Sequence, residues 1–168
     1  MGLLPDIAAS YRRPGRVVRR RLDAPAAEGR ALAWLLLGCA LVYVAQLPRL
    51  AREAALSGQG DLAGQAAAEL VLWLFFAPLV FYGLAALSCV VARLAGWRPG
   101  WYGARVAAFW AFLAAAPLWL ARGLVAVLAG PGPVLDAVTA AALAGWLVIW
   151  ALSLRAAAMR IAGPGGLA

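Results

Sequence analysis

A chain of 168 residues with 65% hydrophobic and 13% charged residues and a mean hydropathy of +0.85 lies outside the range of soluble globular proteins. The net charge of +8 comes entirely from arginine, because the sequence contains no lysine. With no histidine, and with both cysteines inside apolar blocks, no zinc-type ligand set can be assembled, so no metal or cofactor is expected. These numbers predict an all-α, polytopic integral membrane protein.

The first 30 residues form an arginine-rich segment in which two short amphipathic helices are expected, the second opening at Pro14. The apolar face of this segment is predicted to contain Ile7, Tyr11, Val18 and Leu22. The candidate contacts to lipid or to a partner are Arg12, Arg13, Arg16, Arg19, Arg20 and Arg21. One interpretation lays the segment along the inner leaflet, with each arginine worth about 1 kcal/mol of attraction to anionic lipid. The other interpretation is a topology signal for the first span.

The first apolar block, residues 31–48, is long enough to span a bilayer, since about 20 apolar residues suffice. A cleaved signal peptide is the alternative, but some thirty arginine-rich residues precede the block, which favours an uncleaved span. Leu36-Leu37-Gly38-Cys39 is similar to a lipoprotein processing site, although the residues that follow Cys39 stay apolar. Residues 51–69 contain enough polar and flexible side chains to predict an external loop.

Three further spans are predicted at about 70–94, 104–128 and 134–154, so that residues 31–155 form a four-helix bundle and residues 156–168 a tail. Pro78 and Pro117 are expected to interrupt the second and third spans, as proline does where neighbouring groups satisfy the freed carbonyl. Gly130-Pro131-Gly132-Pro133 predicts a tight reversal into the last span.

The turn between the second and third spans mixes cations with aromatic rings, which favour the headgroup level of a bilayer. Its candidate lipid or partner contacts are Arg98, Trp101, Tyr102 and Arg105.

Arginine counts predict the orientation, because short cytoplasmic loops carry the excess of positive charge. With both termini inside, the inner side holds Arg12, Arg13, Arg16, Arg19, Arg20, Arg21, Arg30, Arg93, Arg98, Arg105, Arg155 and Arg160, and the outer side holds Arg49, Arg52 and Arg122. Twelve inner arginines against three outer ones, from a total of 15, predict a multi-pass membrane protein with both termini in the cytoplasm.

Arg122 stands well inside an apolar block, and a charge within a span is a candidate functional site. The competing interpretation puts it at the outer headgroups, because residues 104–121 already approach a full span. Stripes of small residues, Ala107, Ala111 and Ala115 in one block and Ala137, Ala141 and Gly145 in another, favour close helix packing or self-association.

Three sequence features together resemble small bacterial members of the Yip (Ypt/Rab-interacting protein) family. They are the opening Asp6-Ile7 … Tyr11-Arg12 … Pro14 … Arg16-Val17-Val18-Arg19-Arg20, the turn Trp101-Tyr102-Gly103-Ala104-Arg105, and Ala115-Ala116-Pro117-Leu118 followed by Gly130-Pro131-Gly132-Pro133. The resemblance implies a helical membrane bundle of about five spans, whereas hydropathy predicts four here. It also implies a location in the bacterial inner membrane, and for bacterial members it implies a fold more than an activity.

The sequence contains no arrangement of paired carboxylates, Ser-His-Asp, Cys-His or phosphate-loop residues, so an enzyme is not expected. The first hypothesis is a non-enzymatic protein that acts through anionic lipids or other membrane proteins at its arginine-rich cytoplasmic face. The second is a small transporter, or an accessory subunit of a transport or energy-transducing complex. Nucleic acid is not an expected partner, because the arginines flank apolar spans.

Overall fold

The computed structural model describes residues 2–57 and 61–161, and within these ranges the chain is all-helical. The helices are α1 (Leu3–Ser10), α2 (Pro14–Asp23), α3 (Glu28–Ser57), α4 (Leu62–Val71), α5 (Ala77–Leu94), α6 (Trp101–Ala114), α7 (Ala116–Leu128) and α8 (Pro133–Ile161). A π-helical segment, Leu72–Phe76, connects α4 directly to α5.

Four helical stretches are long and apolar enough to cross a membrane, as predicted for a helical membrane protein. They are Glu28–Leu56, Leu62–Leu94, Trp101–Leu128 and Pro133–Met159. Gly130 has a φ of +70°, so it makes the predicted reversal between the third and fourth stretches in a conformation that favours glycine.

The segment predicted as an external loop, 51–69, is mostly helical. α3 continues through Pro48 to Ser57 and α4 begins at Leu62, while Gly58, Gln59 and Gly60 lie outside the described residues. Alanine has the highest helix propensity and is frequent on both sides. Arg49 bonds Glu53 one turn away and Glu69 on α4, at 2.9 and 3.2 Å, and thereby ties the two helices together. The prediction of a loop from polar composition is therefore wrong for most of residues 51–69. The ion pairs of Arg49 stabilise the two helices that occupy this segment.

The chain departs from regular α-helical geometry next to both prolines, in a different way at each. Pro78 lies two residues after the π-helical segment, and its nitrogen has no hydrogen to donate to the helix. Pro117 follows a break at Ala115 that separates α6 from α7. The breaks fall in the interiors of the second and third membrane-length stretches.

Helix α6 forms the centre of the bundle and packs against α3, α5 and α8. Every residue from Val106 to Ala116 is buried, including the predicted stripe of Ala107, Ala111 and Ala115. The second predicted stripe differs, because Ala137 and Ala141 of α8 are exposed. Cys39 and Cys89 are buried as free thiols.

The two N-terminal helices dock against the bundle, with α2 packed on α8 and α6 and α1 packed on α6. Ile7, Val18 and Leu22 of the predicted apolar face are buried within the protein core, and Tyr11 stays partly exposed. The expectation that this face lies against lipid is therefore wrong for these three buried side chains, since helices of the same chain cover it. We call α1, α2 and the turn between them the N-terminal hairpin.

Candidate functional site

A buried ion pair closes the N-terminal hairpin on itself. Asp6 of α1 accepts hydrogen bonds from Arg20 and from Arg21 of α2, the latter at 2.9 Å. The side chains of Asp6 and Arg21 are only 12% and 14% exposed, so the two charges compensate each other where water is scarce. Burial lowers the pKa of Arg21 from its ordinary value, while Asp6 acts in the opposite sense.

Tryptophan rings of the bundle hold Arg21 in place. Its guanidinium carbon lies 3.6 Å from the ring centroid of Trp110 and 4.5 Å from that of Trp34. These two rings meet edge to face at 5.6 Å, a favourable geometry for aromatic pairs. The indole nitrogen of Trp110 also donates to the hydroxyl of Ser10, at 2.9 Å. Cation–π contacts and this bond thus join both hairpin helices to α3 and α6.

Tyr11, in the hairpin turn, satisfies a carbonyl that the proline break frees. In an unbroken helix the carbonyl of Ala114 would accept from the amide of Leu118. That amide instead bonds the oxygen of Ala115, at 2.9 Å, and the hydroxyl of Tyr11 donates to Ala114 at 2.8 Å. Because Ala114 is fully buried, leaving its carbonyl unpaired would cost about 1 to 3 kcal/mol.

Removal of the Tyr11 hydroxyl by Tyr11→Phe should lower the free energy of unfolding by about 1 to 2 kcal/mol, because the Ala114 carbonyl loses its donor. Thermal unfolding in detergent measures the loss. Tyr43→Phe is the matched control, since no hydrogen bond of the Tyr43 hydroxyl is found within the described ranges. Equal effects of the two substitutions would contradict the assignment.

Burial raises the pKa of Tyr11 above its ordinary value of 10.0. The phenol is therefore protonated and available as a donor at neutral pH. Its contribution to stability is full below pH 10 and is lost as the pH rises through the raised pKa.

An open basic groove of about 370 Å³ lies between α2 and α8. Its cationic rim consists of Arg13, Arg16, Arg19 and Arg155, and its floor includes Leu152, Ala156 and Met159. No described residue that lines the groove carries a carboxylate, and none of the four arginines forms an ion pair within the described parts of the chain. The groove therefore concentrates uncompensated positive charge over an apolar surface.

The predicted turn residues do not form one outward-facing surface. Two of them contact the chain where α2 connects to α3. The hydroxyl of Tyr102 accepts from the backbone nitrogen of Ala27 at 3.1 Å, and Arg105 pairs with Glu28. The exposed ring of Trp101 lies 4.8 Å from the guanidinium carbon of Arg93. Arg98 is exposed. Tyr102 and Arg105 thus fix the connection from α2 to α3.

No family model, curated protein or solved structure matches this chain. The Yip-type resemblance stays a prediction, and the candidate site rests on its own geometry.

Arg122 lies apart from the other candidate residues, on α7 near the opposite end of the bundle. Its Nε donates to the hydroxyl of Thr139 on α8 at 2.9 Å, and that hydroxyl donates to the carbonyl of Leu135 at 2.7 Å. Arg122 forms no ion pair with any described residue. The hydrogen bond from Arg122 to Thr139 joins α7 to α8. The hypothesis of a transporter that uses Arg122 stays a prediction.

Four residues of the site were not predicted from the sequence: Asp6, Ser10, Trp34 and Trp110. One sequence signal could have indicated Asp6. It is the only acidic residue before the arginine run, and the next acidic residue is Asp23. No signal of spacing relates Ser10 to Trp110, since tertiary packing alone brings them together. Of the predicted arginines, the structure brings Arg13, Arg16 and Arg19 to one groove and separates Arg20 and Arg21 from them.

Proposed function

We propose that this chain is a non-enzymatic protein of the bacterial inner membrane that binds anionic lipids through the arginines of its N-terminal hairpin. Both termini are in the cytoplasm in this proposal, as the arginine count predicts. The Yip-type resemblance belongs to the same proposal.

The observation that carries the proposal is the unequal pairing of arginines within one hairpin. Arg20 and Arg21 both pair with the single carboxylate of Asp6. Arg12, Arg13, Arg16 and Arg19 are exposed and form no ion pair with any described residue. Folding alone does not require these four charges, whereas an anionic membrane surface attracts each of them by about 1 kcal/mol.

Lipid analysis of the purified protein tests the proposal. The full chain is extracted from a bacterial membrane in mild detergent, and mass spectrometry identifies the lipids and proteins that remain bound. We expect anionic phospholipid to be enriched over its share in the bulk membrane, and less enriched when Arg12, Arg13, Arg16 and Arg19 are all changed to glutamine.

An equal lipid composition in the bound and bulk fractions would contradict the proposal. Recovery of a stoichiometric protein partner without such enrichment would replace it with a role as a subunit of a larger complex. The far-end variant Arg52→Gln is the control, because Arg52 lies on the opposite side of the bundle and bonds the carbonyl of Ala126.

A further inference from the structure

We infer that the groove between α2 and α8 is a specific site for one anionic phospholipid, with the phosphate held by Arg16, Arg19 and Arg155. This inference rests on the proposed binding of anionic lipid and assigns it to one place on the molecule. Three observations support it: the pattern of charges, the nature of the floor and the position of the groove along α8.

The charge pattern separates this groove from the two neighbouring clefts. The cleft between the hairpin and α3 also contains arginines, but Asp6 lies among them and pairs with two of them. The cleft around Pro99 and Tyr102 has no charged residue in its lining. Only the groove between α2 and α8, among these three, combines several arginines with no described carboxylate, so it is the one that favours an anion.

The arginines converge because of helix geometry. Arg16 and Arg19 are three residues apart, which puts them along one face of α2, and Arg13 directly precedes this helix. Gly15 allows this helix to approach α8 closely, since a Cβ at Gly15 would lie 3.0 Å from the Cβ of Ala156. Arg155, beside Ala156, then completes the rim from the other helix. Guanidinium groups suit phosphate oxygens because they offer paired donors in a plane.

The floor and position of the groove favour a lipid over a soluble phosphate. Leu152 and Met159 are 44% and 49% exposed, and an acyl chain can cover such apolar surface. Arg155 lies toward the C-terminal end of the membrane-length stretch Pro133–Met159, where a headgroup is expected to meet the helix. The volume of about 370 Å³ is in the range of small-molecule sites, about 300 to 1,000 Å³.

Native mass spectrometry of the full chain in detergent tests the site. The chain is titrated separately with phosphatidylglycerol, with phosphatidylcholine of the same acyl chains, and with soluble glycerol phosphate. We expect one phosphatidylglycerol to bind at least tenfold more tightly than phosphatidylcholine. Arg16→Gln and Arg155→Gln should each weaken this binding about fivefold, the factor that corresponds to about 1 kcal/mol per arginine.

Arg93→Gln is the matched control, because Arg93 is exposed, does not line the groove and is not one of the arginines proposed to bind lipid. Equal losses in the control and groove variants would overturn the specific site while leaving general attraction to anionic lipid intact. Equal binding of the two lipids would overturn both the site and the proposed function. Competition by glycerol phosphate at concentrations similar to those of the lipid would overturn the lipid assignment in favour of a soluble anion.

Retention of the fold is checked by the thermal unfolding midpoint of each variant. Arg155→Lys provides a second measure, because it keeps the charge without the paired planar donors and should restore part of the affinity lost in Arg155→Gln. Failure of the lysine variant to do so, with an unchanged unfolding midpoint, would contradict electrostatic binding at this position.

Discussion

Gly123→Ala is expected to destabilise the bundle by about 1 to 3 kcal/mol, the usual cost of overpacking a core. Gly123 lies where α7 crosses α3, and an added Cβ would collide with the backbone carbonyl oxygen of Ala45. A backbone oxygen cannot rotate away as the end of a flexible side chain can. The two helices must therefore separate, and the close contact that small residues provide in membrane bundles is lost.

Gly83→Ala is the matched control for this substitution. Gly83 lies inside α5, and an added Cβ there would meet nothing within 4 Å. Alanine is favoured over glycine by about 1 kcal/mol in a helix interior, so this variant should be as stable as the parent or more so. Unfolding of both variants in detergent gives the comparison, and a shift of the same sign for both would contradict the α3–α7 contact.

Asp6→Asn should release the N-terminal hairpin from the bundle. The substitution keeps the size of the side chain but leaves Arg21, only 14% exposed, without its counter-charge. Removing one partner of a buried ion pair costs about 3 to 5 kcal/mol, because the remaining charge is buried and unpaired. A loss of 3 kcal/mol would increase the undocked population roughly a hundredfold.

Labelling of a cysteine at position 18 measures this release. Val18 is fully buried in the docked hairpin, so Val18→Cys should react slowly with a maleimide in the parent and much faster when Asp6→Asn is added. Cys39 and Cys89 are replaced by alanine to remove other thiols. Asp136→Asn, an exposed acid at the start of α8, is the control and should leave the rate unchanged; equal rates for all three proteins would contradict the role of Asp6.

Apolar composition and length were sufficient to predict the four membrane-length helices, because hydrocarbon thickness imposes a strict requirement on apolar length. The interruptions at Pro78 and Pro117 were predictable for a similar reason, since proline lacks the amide that a helix needs. The ends of the helices were less predictable. Residues 51–57 and 62–69 are polar enough for a loop, yet the pairs formed by Arg49 with Glu53 and Glu69 keep them helical.

The docking of the hairpin was not predictable from local pattern. An amphipathic helix buries its apolar face equally well against lipid or against protein, and hydropathy does not distinguish the two. The contacts of Asp6 and Trp110 in the folded chain determine which arginines have a partner within the protein. The sequence therefore indicated an arginine-rich face, whereas the structure divides it into a closed ion pair and an open groove.

The measurement that tests this account most directly is disulfide cross-linking of the hairpin to α8. Gly15→Cys and Ala156→Cys are introduced together in a chain in which Cys39 and Cys89 are replaced by alanine. A Cβ at Gly15 would lie 3.0 Å from that of Ala156, close to the separation of about 3.5 to 4.5 Å in disulfides.

The pair Gly29→Cys with Ala156→Cys is the control, because an added Cβ at Gly29 would meet nothing within 4 Å. Rapid bridging of the first pair in native membranes, with none in the control, is the result expected from the docked hairpin. Failure of the first pair to bridge in folded protein would contradict the docking and, with it, the groove between α2 and α8.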